Sequence, residues 1–309
     1  MEQSFVAWAQ LRSRKLPAVK LGIGDDAAVL EASGDSVVTT DSLMEGTHFI
    51  LTETTPHAVG RKVVNANISD LAAMAAEPKA VFLSLCLPEN YPGGNDRLAA
   101  DIFEGVCEAC ESQGVALAGG DTNCWNGPLV VNLTAVGNPV DDVVWKRSGA
   151  LPDDLIVVSG PLGGSILGKH LDFQPRMDWV RKVRGNVDIH AAMDITDGLS
   201  VDLLRMCDAS HVGAILELDR VPSTAAAEEL AKQTGETATA HALGDGEDFE
   251  LLVTLAPKEL GKLQEIVGED QAIVCGTVTS RTGLWAKDGG KIRQMWSTGF
   301  VHGAEGRDH

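Results

Sequence analysis

Acidic residues beside glycines and other small residues are the feature of this sequence best suited to chemistry. They occur in six short segments: LGIGDDAAV (Asp25, Asp26), TTDSLMEGTHF (Asp41, Glu45), NISDLAA (Asp70), AGGDTN (Asp121), MDITDGL (Asp194, Asp197) and GDGEDFEL (Asp245, Glu247, Asp248). Several segments follow a predicted strand, where a turn exposes a side chain at the edge of a sheet. Taken alone, each acid is more typical of a turn or a helix cap. The six segments together favour a shared function.

Few basic residues are available to neutralise these carboxylates. The 309-residue chain has 44 acidic and 25 basic residues, and its net charge at pH 7 is −19. Divalent cations would supply the missing positive charge. Oxygen ligands without a His/Cys cluster indicate magnesium or manganese rather than zinc. Magnesium held by one or two carboxylates is typical of sites that bind substrate phosphates.

The motifs of the common ATP-binding folds are missing. The sequence has no G-x-x-x-x-G-K-[ST] and no H-R-D or D-F-G set, and GIGDD is not the G-x-G-x-x-G of a dinucleotide site. A nucleotide site in this chain would therefore depend on metal–carboxylate bridges.

Charge and hydropathy exclude several other classes of protein. The negative charge disfavours nucleic acid and anionic lipid as partners, and no apolar stretch is long enough to span a bilayer. The N-terminus MEQSFVAWAQLRSRK lacks the pattern of a secretory signal, so we expect a cytoplasmic protein. Cys107 and Cys110 form a CxxC within a helical pattern, and without a second pair they are predicted to be buried free thiols.

The elements that position the acids alternate between strand and helix in the first half of the chain. Ser36–Thr40 predicts a strand, and Thr55-Pro56 predicts the start of a helix that Pro78 closes. A second helix is predicted from about Asp96 to Gln113. The GGDTN segment is predicted to be a turn between two strands.

The predicted domain boundary lies at Asn138-Pro139 and the nearby Asp141-Asp142 pair. Leu155–Ser159 predicts a new strand, which is followed by the glycine-rich turn GPLGGS and a helix. Asp288-Gly289 predicts a hairpin. Length and pattern together predict an α+β protein of two domains, residues 1–138 and residues 139–309.

Seven motifs occur in an order that resembles the thiamine-monophosphate kinase family. They are GIGDDAAV, TTDSLMEGTHF, NISDLAAM, AGGDTN, KRSGA, DITDGL and GEDFEL, and the match extends from about Leu21 to Phe300. One such motif is weak, whereas seven in order are highly specific. The family is part of a superfamily with aminoimidazole ribonucleotide synthetase, selenophosphate synthetase and the hydrogenase-maturation dehydratase.

This resemblance implies both an activity and an architecture. The activity would be an ATP-dependent, magnesium-assisted, in-line phosphoryl transfer to thiamine monophosphate that yields thiamine diphosphate and ADP. The architecture would be an N-terminal α/β domain for ATP, magnesium and dimerisation, and a C-terminal α+β domain that closes the active-site cleft. The sheet of the N-terminal domain would form a barrel across a homodimer.

The resemblance also assigns roles to individual residues. Several magnesium ions would be surrounded by Asp26, Thr39, Thr40, Asp41, Asp70, Asp121, Asp194 and Asp197. ATP would be contacted by Gly120, Asp121, Arg147 and Thr196. Thiamine phosphate would be contacted by His48, Glu247 and Phe300.

No residue is expected to act as a general base. The acceptor is a phosphate whose second pKa is about 6, so it is already largely deprotonated at neutral pH. One departure from the family is GDGEDFEL in place of the usual GGEDYEL, which puts Asp245 near the expected thiazolium site. The alternatives are another ATP-dependent enzyme of the superfamily with a different small substrate, or a non-catalytic nucleotide-binding protein.

Overall fold

The chain folds into two compact units. The computed structural model describes residues 8, 9, 11, 12, 17, 19–21, 29, 30 and 34–299. One unit comprises the described residues up to Ala72, together with Ala76–Asp142 and Leu171–Pro175; the other comprises Ala73–Ala75, Val143–His170 and the described residues from Arg176 onwards. Among the described residues, no helix is both long enough and apolar enough to cross a membrane.

The first unit is built on a mixed four-stranded sheet. Strands β1 (Val19–Leu21) and β2 (Val29–Leu30) form a two-stranded sheet. The four strands of the larger sheet are β3 (Val37–Met44), β4 (Ala76–Pro88), β5 (Ala116–Trp125) and β6 (Val130–Pro139). The order in the larger sheet is β3-β6-β4-β5, and β4 pairs with β5 in parallel. Buried and more exposed residues alternate along β4 and β6, so the sheet has one buried face and one open face.

Two helices complete this unit, α1 (Pro56–Ala73) and α2 (Asn95–Gln113). Helix α1 begins where predicted, because Thr55 Oγ1 accepts a hydrogen bond of 3.1 Å from Ala58 N and proline occupies the first helical position. Helix α2 also has the predicted bounds within one residue, and Gly114 ends it in the left-handed conformation.

Two local predictions for the first unit were wrong. Helix α1 ends at Ala73 rather than near Pro78, because the chain reverses at Ala75, which has a φ of 57°. Pro78 lies in β4 at a register shift, where its missing N–H is tolerated. The GGDTN segment continues strand β5 rather than forming a turn. A Cβ on Gly120 would overlap the Leu83 carbonyl oxygen, so glycine serves close packing between the strands.

The second unit is built on a seven-stranded sheet in the order β13-β12-β9-β11-β7-β10-β8. Its strands are β7 (Leu155–Val158), β8 (Ala191–Asp194), β9 (Gly213–Glu217), β10 (Leu251–Leu255), β11 (Ile273–Thr279), β12 (Gly283–Asp288) and β13 (Lys291–Met295). All neighbours are antiparallel except β9 and β12. Its helices are α3 (Met177–Val183), α4 (Leu199–Ser210), α5 (Ala225–Thr234), α6 (Ala238–Gly244) and α7 (Leu260–Val267).

Residues in turns explain the outcome of two sequence predictions for this unit. The hairpin predicted at Asp288-Gly289 is confirmed, since β12 and β13 pair there and both Gly289 and Gly290 have positive φ. A helix is also predicted after GPLGGS, but none begins directly there. The segment ends in a single 3₁₀ turn, Ser165–Leu167, which stops at Gly168 with a φ of 136°, and the next α-helix is α3, further along the chain.

Candidate active site

Thr39, Asp41 and Asp70 form a cluster between strand β3 and helix α1, termed here the β3 acidic cluster. Thr39 and Asp41 lie on the same side of β3, because alternate residues of a strand face the same way. Thr39 Oγ1 donates a hydrogen bond of 2.5 Å to Asp70 Oδ2. Burial, followed by repulsion from Asp70, raises the pKa of Asp41 to about 6. Two half-buried carboxylates that repel each other favour binding of a cation.

Thr40 and Asp121 lie on the open face of the sheet, away from the side chain of Asp41. Thr40 Oγ1 accepts a hydrogen bond of 3.3 Å from Asn132 Nδ2. Asp121 is exposed and accepts one of 2.7 Å from Asn123 Nδ2. Strands β3 and β5 are the two ends of the sheet, about 14 Å apart at the usual spacing between strands. The sheet therefore does not bring Asp121 into the β3 acidic cluster within one chain.

His48 lies in the turn that follows β3. Its Nδ1 accepts a hydrogen bond of 3.1 Å from Met44 N, so the neutral ring carries its proton on Nε2. Its carbonyl oxygen accepts one of 2.8 Å from Lys62 Nζ. Lys62 is fully buried within α1. This lysine fixes the backbone of the turn and gives the His48 ring a defined position.

In the second unit, the DITDG segment connects strand β8 to helix α4. Asp194 is buried at the end of β8. The backbone N–H groups of Thr196 and Asp197 both donate hydrogen bonds of 2.9 Å to Asp202 Oδ2. Arg205 forms ion pairs with the carboxylates of Asp197 and Asp202. The side chains of Asp202 and Arg205 thus hold both the backbone and the carboxylate of the segment.

The GEDFEL segment runs beside the DITDG segment. Glu247 N donates a hydrogen bond of 2.7 Å to Thr196 O, and Phe249 N donates one of 2.9 Å to Ile195 O. Glu247 and Phe249 have φ values of 50° and 51°, a strained conformation for residues other than glycine. A Cβ on Gly246 would lie 2.7 Å from Thr196 O. The close approach of the two segments therefore requires glycine at this position.

Asp245 and Asp248 bind the glycine-rich segment GPLGGS. Both oxygens of the buried Asp248 accept hydrogen bonds from Gly163 N, at 2.9 and 3.1 Å, and burial raises the pKa of this carboxyl to about 7. Asp245 Oδ2 accepts one of 2.6 Å from Gly164 N, and its Oδ1 lies 2.8 Å from His241 Nδ1. The N–H groups of Gly163 and Gly164 are thus directed at carboxylates of the protein. Asp245, the departure from the family motif, holds this segment in place.

The chain also returns to the DITDG segment near its C-terminus. Ser200 Oγ donates a hydrogen bond of 2.6 Å to Thr298 O and accepts one of 2.9 Å from Thr298 N. A Cβ on Gly299 would overlap Asp197 O. Phe300, the next residue, lies outside the described residues.

Arg147 is exposed and belongs to the KRSGA segment, which the end of α4 holds. Ser210 Oγ accepts hydrogen bonds from Gly149 N at 3.1 Å and Ala150 N at 3.2 Å, and donates one of 3.2 Å to Arg147 O. Strand β8 contributes a further bond of 2.8 Å to the carbonyl oxygen of Lys146.

The donor atoms present fit magnesium. Within the part of the chain that the structure describes, no three His, Cys, Asp or Glu residues form a cluster that could hold a metal. Magnesium needs no such cluster, because it commonly takes one or two carboxylates and completes its shell with water and phosphate oxygens. The β3 acidic cluster supplies such a pair with a hydroxyl beside it. Asp26, a further predicted ligand, lies outside the described residues.

Sequence reasoning missed Lys62, Asp202, Arg205 and Ser210. Each contacts a predicted site segment from within a helix or at the end of one. The sequence feature that could have identified them is a polar residue in or beside the apolar stripe of a predicted helix. The CxxC prediction is confirmed: Cys107 and Cys110 are buried free thiols, and burial raises the pKa of Cys107 to about 11.

Two family models match the chain over most of its length. The N-terminal domain of AIR synthase related proteins matches residues 24–138. The C-terminal domain of the same proteins matches residues 149–287. The fold class expected from sequence, two domains of mixed α and β structure, is confirmed at this level.

Similarity to individual proteins identifies the family more closely. Thiamine-monophosphate kinase of Rhodopirellula baltica is 40% identical over 314 residues, which cover 98% of each chain. The crystal structure of thiamine-monophosphate kinase from Stenotrophomonas maltophilia K279a has a TM-score of 0.77 and 29% identity, and the match covers 92% of this chain and 94% of that one. AaThiL complexed with AMPPCP and TMP has the same fold, with a TM-score of 0.76 and 24% identity over 94% and 89% of the two chains. The 40% identity to the Rhodopirellula baltica kinase over nearly the whole length shows that the chain belongs to the thiamine-monophosphate kinase family.

Proposed function

We propose that this member of the thiamine-monophosphate kinase family transfers a phosphoryl group from ATP to thiamine monophosphate, forming thiamine diphosphate and ADP. The observation that carries this proposal is the 40% identity to the Rhodopirellula baltica kinase over 98% of both chains. The AaThiL complex with AMPPCP, an analogue of ATP, and TMP supports the same pair of substrates.

Carboxylates on both units would hold the magnesium ions. The proposed ligands are Asp26, Thr39, Thr40, Asp41, Asp70, Asp121, Asp194 and Asp197. Magnesium, when bound, would neutralise the charge of the ATP phosphates. The raised pKa of Asp41 supports this assignment, because a carboxylate destabilised by burial and by Asp70 gains most from a nearby cation.

The remaining residues would bind and orient the two substrates. Residues 1–138 would contribute Gly120 and Asp121 to ATP and His48 to thiamine phosphate. Residues 139–309 would contribute Arg147 and Thr196 to ATP, and Glu247 and Phe300 to thiamine phosphate. Arginine suits this role, because its planar guanidinium binds phosphate oxygens in pairs.

Catalysis would consist of positioning and charge neutralisation without a general base. The acceptor phosphate is already largely deprotonated at neutral pH, so removal of a proton contributes little. The main obstacle is the repulsion between two anionic phosphates that must approach in line. The cation sites and Arg147 would offset that repulsion.

We further propose a cytoplasmic homodimer that forms through the sheet of the first unit. Val38 and Met44 are 61% and 41% exposed on the open face of β3. Among the strands that the structure describes, β3 and β5 are the two edges of this sheet, and an edge strand can pair through its backbone with a second copy. A barrel closed by two copies would pair these edges and enclose the apolar side chains of the open face.

The decisive experiment measures product formation. Purified protein with ATP, magnesium and thiamine monophosphate should form thiamine diphosphate and ADP in equal amounts. Unphosphorylated thiamine should not serve as acceptor, because it lacks the nucleophilic phosphate. Calcium in place of magnesium should suppress turnover, because its looser coordination misplaces the phosphates. ATP hydrolysis that is independent of thiamine monophosphate would contradict the assignment.

A further inference from the structure

We propose that Asp202 is a positioning residue for the kinase reaction, which holds the backbone of Thr196 and Asp197 through their two N–H groups. The inference rests on the proposed function, in which Thr196 contacts ATP and Asp197 contacts magnesium. Asp202 itself would touch neither ligand.

The geometry of the contact carries the inference. Asp202 Oδ2 accepts hydrogen bonds of 2.9 Å from both Thr196 N and Asp197 N, so one oxygen atom fixes two successive peptide groups. Asp202 lies in the first turn of α4, and its side chain is fully buried. The segment continues into Gly198, which has a φ of 105° and whose carbonyl oxygen accepts hydrogen bonds of 3.1 Å from both Val201 N and Asp202 N at the start of the helix. Asp202 thus accepts from the N–H groups that immediately precede the helix, where the helix itself supplies no acceptor.

Arg205 explains how a buried carboxylate is tolerated here. Its Nη1 lies 2.8 Å from Asp202 Oδ1, on the side of the carboxylate opposite the two N–H groups. The same guanidinium pairs with Asp197. Both oxygens of Asp202 are therefore engaged, and each has a distinct role: Oδ2 holds the backbone and Oδ1 receives the neutralising charge.

Two substitutions separate the role of the acceptor from that of the charge. Asp202→Asn keeps an oxygen for the two N–H groups and removes the charge. Its amide nitrogen would replace the oxygen that Arg205 contacts, and because Arg205 is at the surface its guanidinium can move away from this donor and still pair with Asp197. Asp202→Ala removes both. Asp208→Asn is the matched control, because Asp208 is an exposed acid on the same helix.

We expect Asp202→Ala to lose activity and Mn²⁺ affinity, and Asp202→Asn to keep them. Asp202→Ala should lower kcat and weaken Mn²⁺ binding to the protein–AMPPCP complex by about 10-fold to 100-fold, the range typical of residues that orient metal ligands. For Asp202→Asn, kcat and the affinity for Mn²⁺ should each stay within about threefold of wild type, because the variant still accepts the hydrogen bonds of the two N–H groups. Asp208→Asn should match wild type. Mn²⁺ binding is measured by electron paramagnetic resonance and needs no turnover.

Amide hydrogen exchange gives a readout that needs no ligand. In the wild-type protein, the amides of Thr196 and Asp197 should exchange slowly although both residues are partly exposed. The protection should be lost in Asp202→Ala and kept in Asp202→Asn.

Three outcomes would overturn the proposal. They are an asparagine variant as impaired as the alanine variant, an alanine variant that binds Mn²⁺ like wild type, and unprotected amides at Thr196 and Asp197 in the wild-type protein. The last is measured without any variant, so it remains decisive if Asp202→Ala does not fold. A wild-type protein that does not phosphorylate thiamine monophosphate would instead count against the proposed function, whereas exchange and Mn²⁺ binding would still report on Asp202.

Discussion

At the residue scale, the carboxyl group of Asp41 connects the stability of the free protein to pH. Its pKa is raised from 3.8 to about 6. The folded protein therefore binds more protons than the unfolded chain between about pH 4 and pH 6, and the free energy of unfolding falls as the pH rises through this range. A shift of this size corresponds to about 3 kcal/mol. Without metal, Asp41 thus destabilises the fold at neutral pH.

Asp41→Asn should remove this pH dependence and stabilise the metal-free protein. We expect the free energy of unfolding of the variant, relative to wild type, to increase by up to about 2 kcal/mol between pH 4.5 and pH 7.5. The same variant should lose most of its kinase activity. Urea denaturation in the presence of a chelator measures the first effect. Asp288→Asn, a substitution at the exposed hairpin, is the control, and equal pH profiles for Asp41→Asn and wild type would contradict the prediction.

At the element scale, helix α4 holds two site segments at once. Asp202 near its start binds the DITDG segment, and Ser210 at its end binds the KRSGA segment. The sheet contributes strand β8 as a second support for both segments. A helix and a strand thus act as the frame on which loop residues are positioned.

Ser210→Ala should weaken ATP binding more than it slows turnover. The substitution removes the acceptor for Gly149 N and Ala150 N and frees the backbone of Arg147. Loss of hydrogen bonds of this kind corresponds to about 1.4 kcal/mol, so KM for ATP should rise about tenfold. Steady-state kinetics measure this change. Ser112→Ala, at the end of α2, is the matched control and should leave KM unchanged.

Gly246→Ala should destabilise the second unit through a close contact as well as through backbone strain. Gly246 has a φ of 74°, and an added Cβ would lie 2.7 Å from Thr196 O. We expect a loss of about 2–4 kcal/mol in the free energy of unfolding. Gly235→Ala provides the comparison, because Gly235 has a φ of 80° but open space around its Cβ position. Its loss should be only about 1 kcal/mol, and equal losses in the two variants would show that the close contact does not matter.

At the scale of the whole molecule, the proposed homodimer would have to form although each chain carries a charge of −19. The open face of β3 carries the side chains of Val38, Thr40, Ser42 and Met44, whereas Asp41, the one charged residue of this strand, faces the opposite side of the sheet. Such a face suits contact with a second copy.

Val38→Glu should convert a dimer into a monomer. A charge on each copy of the open face would repel its equivalent across a two-fold axis and would remain without a partner when buried. Light scattering should then report the 32.6 kDa mass of one chain instead of twice that mass. Ile292→Glu is the matched control, because Ile292 is 55% exposed on β13 of the other unit. A wild-type protein that is monomeric and fully active would rule out the dimer.

Elements with strong local signals could be predicted from the sequence. Helix α2 has an apolar stripe and a terminal glycine, and the β12–β13 hairpin has Asp-Gly at its turn, so their bounds follow from short-range rules. The same rules wrongly predicted a turn at the GGDTN segment, because its glycines accommodate the neighbouring strand β4 instead. Close approach of two strands is a tertiary feature, and composition alone does not distinguish it from a turn.

The order of the amino acids establishes which residue types are available for chemistry: an excess of carboxylates, no common phosphate-binding loop, and seven motifs in the order of one family. Which of these residues meet depends on how distant segments pack. Asp41 and Asp70 come together because helix α1 packs beside β3, whereas Asp121 belongs to the opposite edge of the same sheet and to its open face. Asp245 binds a glycine-rich loop, and Asp202 supports two predicted site residues. Local patterns specify each element, but the packing of distant segments sets the distances on which electrostatics and hydrogen bonds depend.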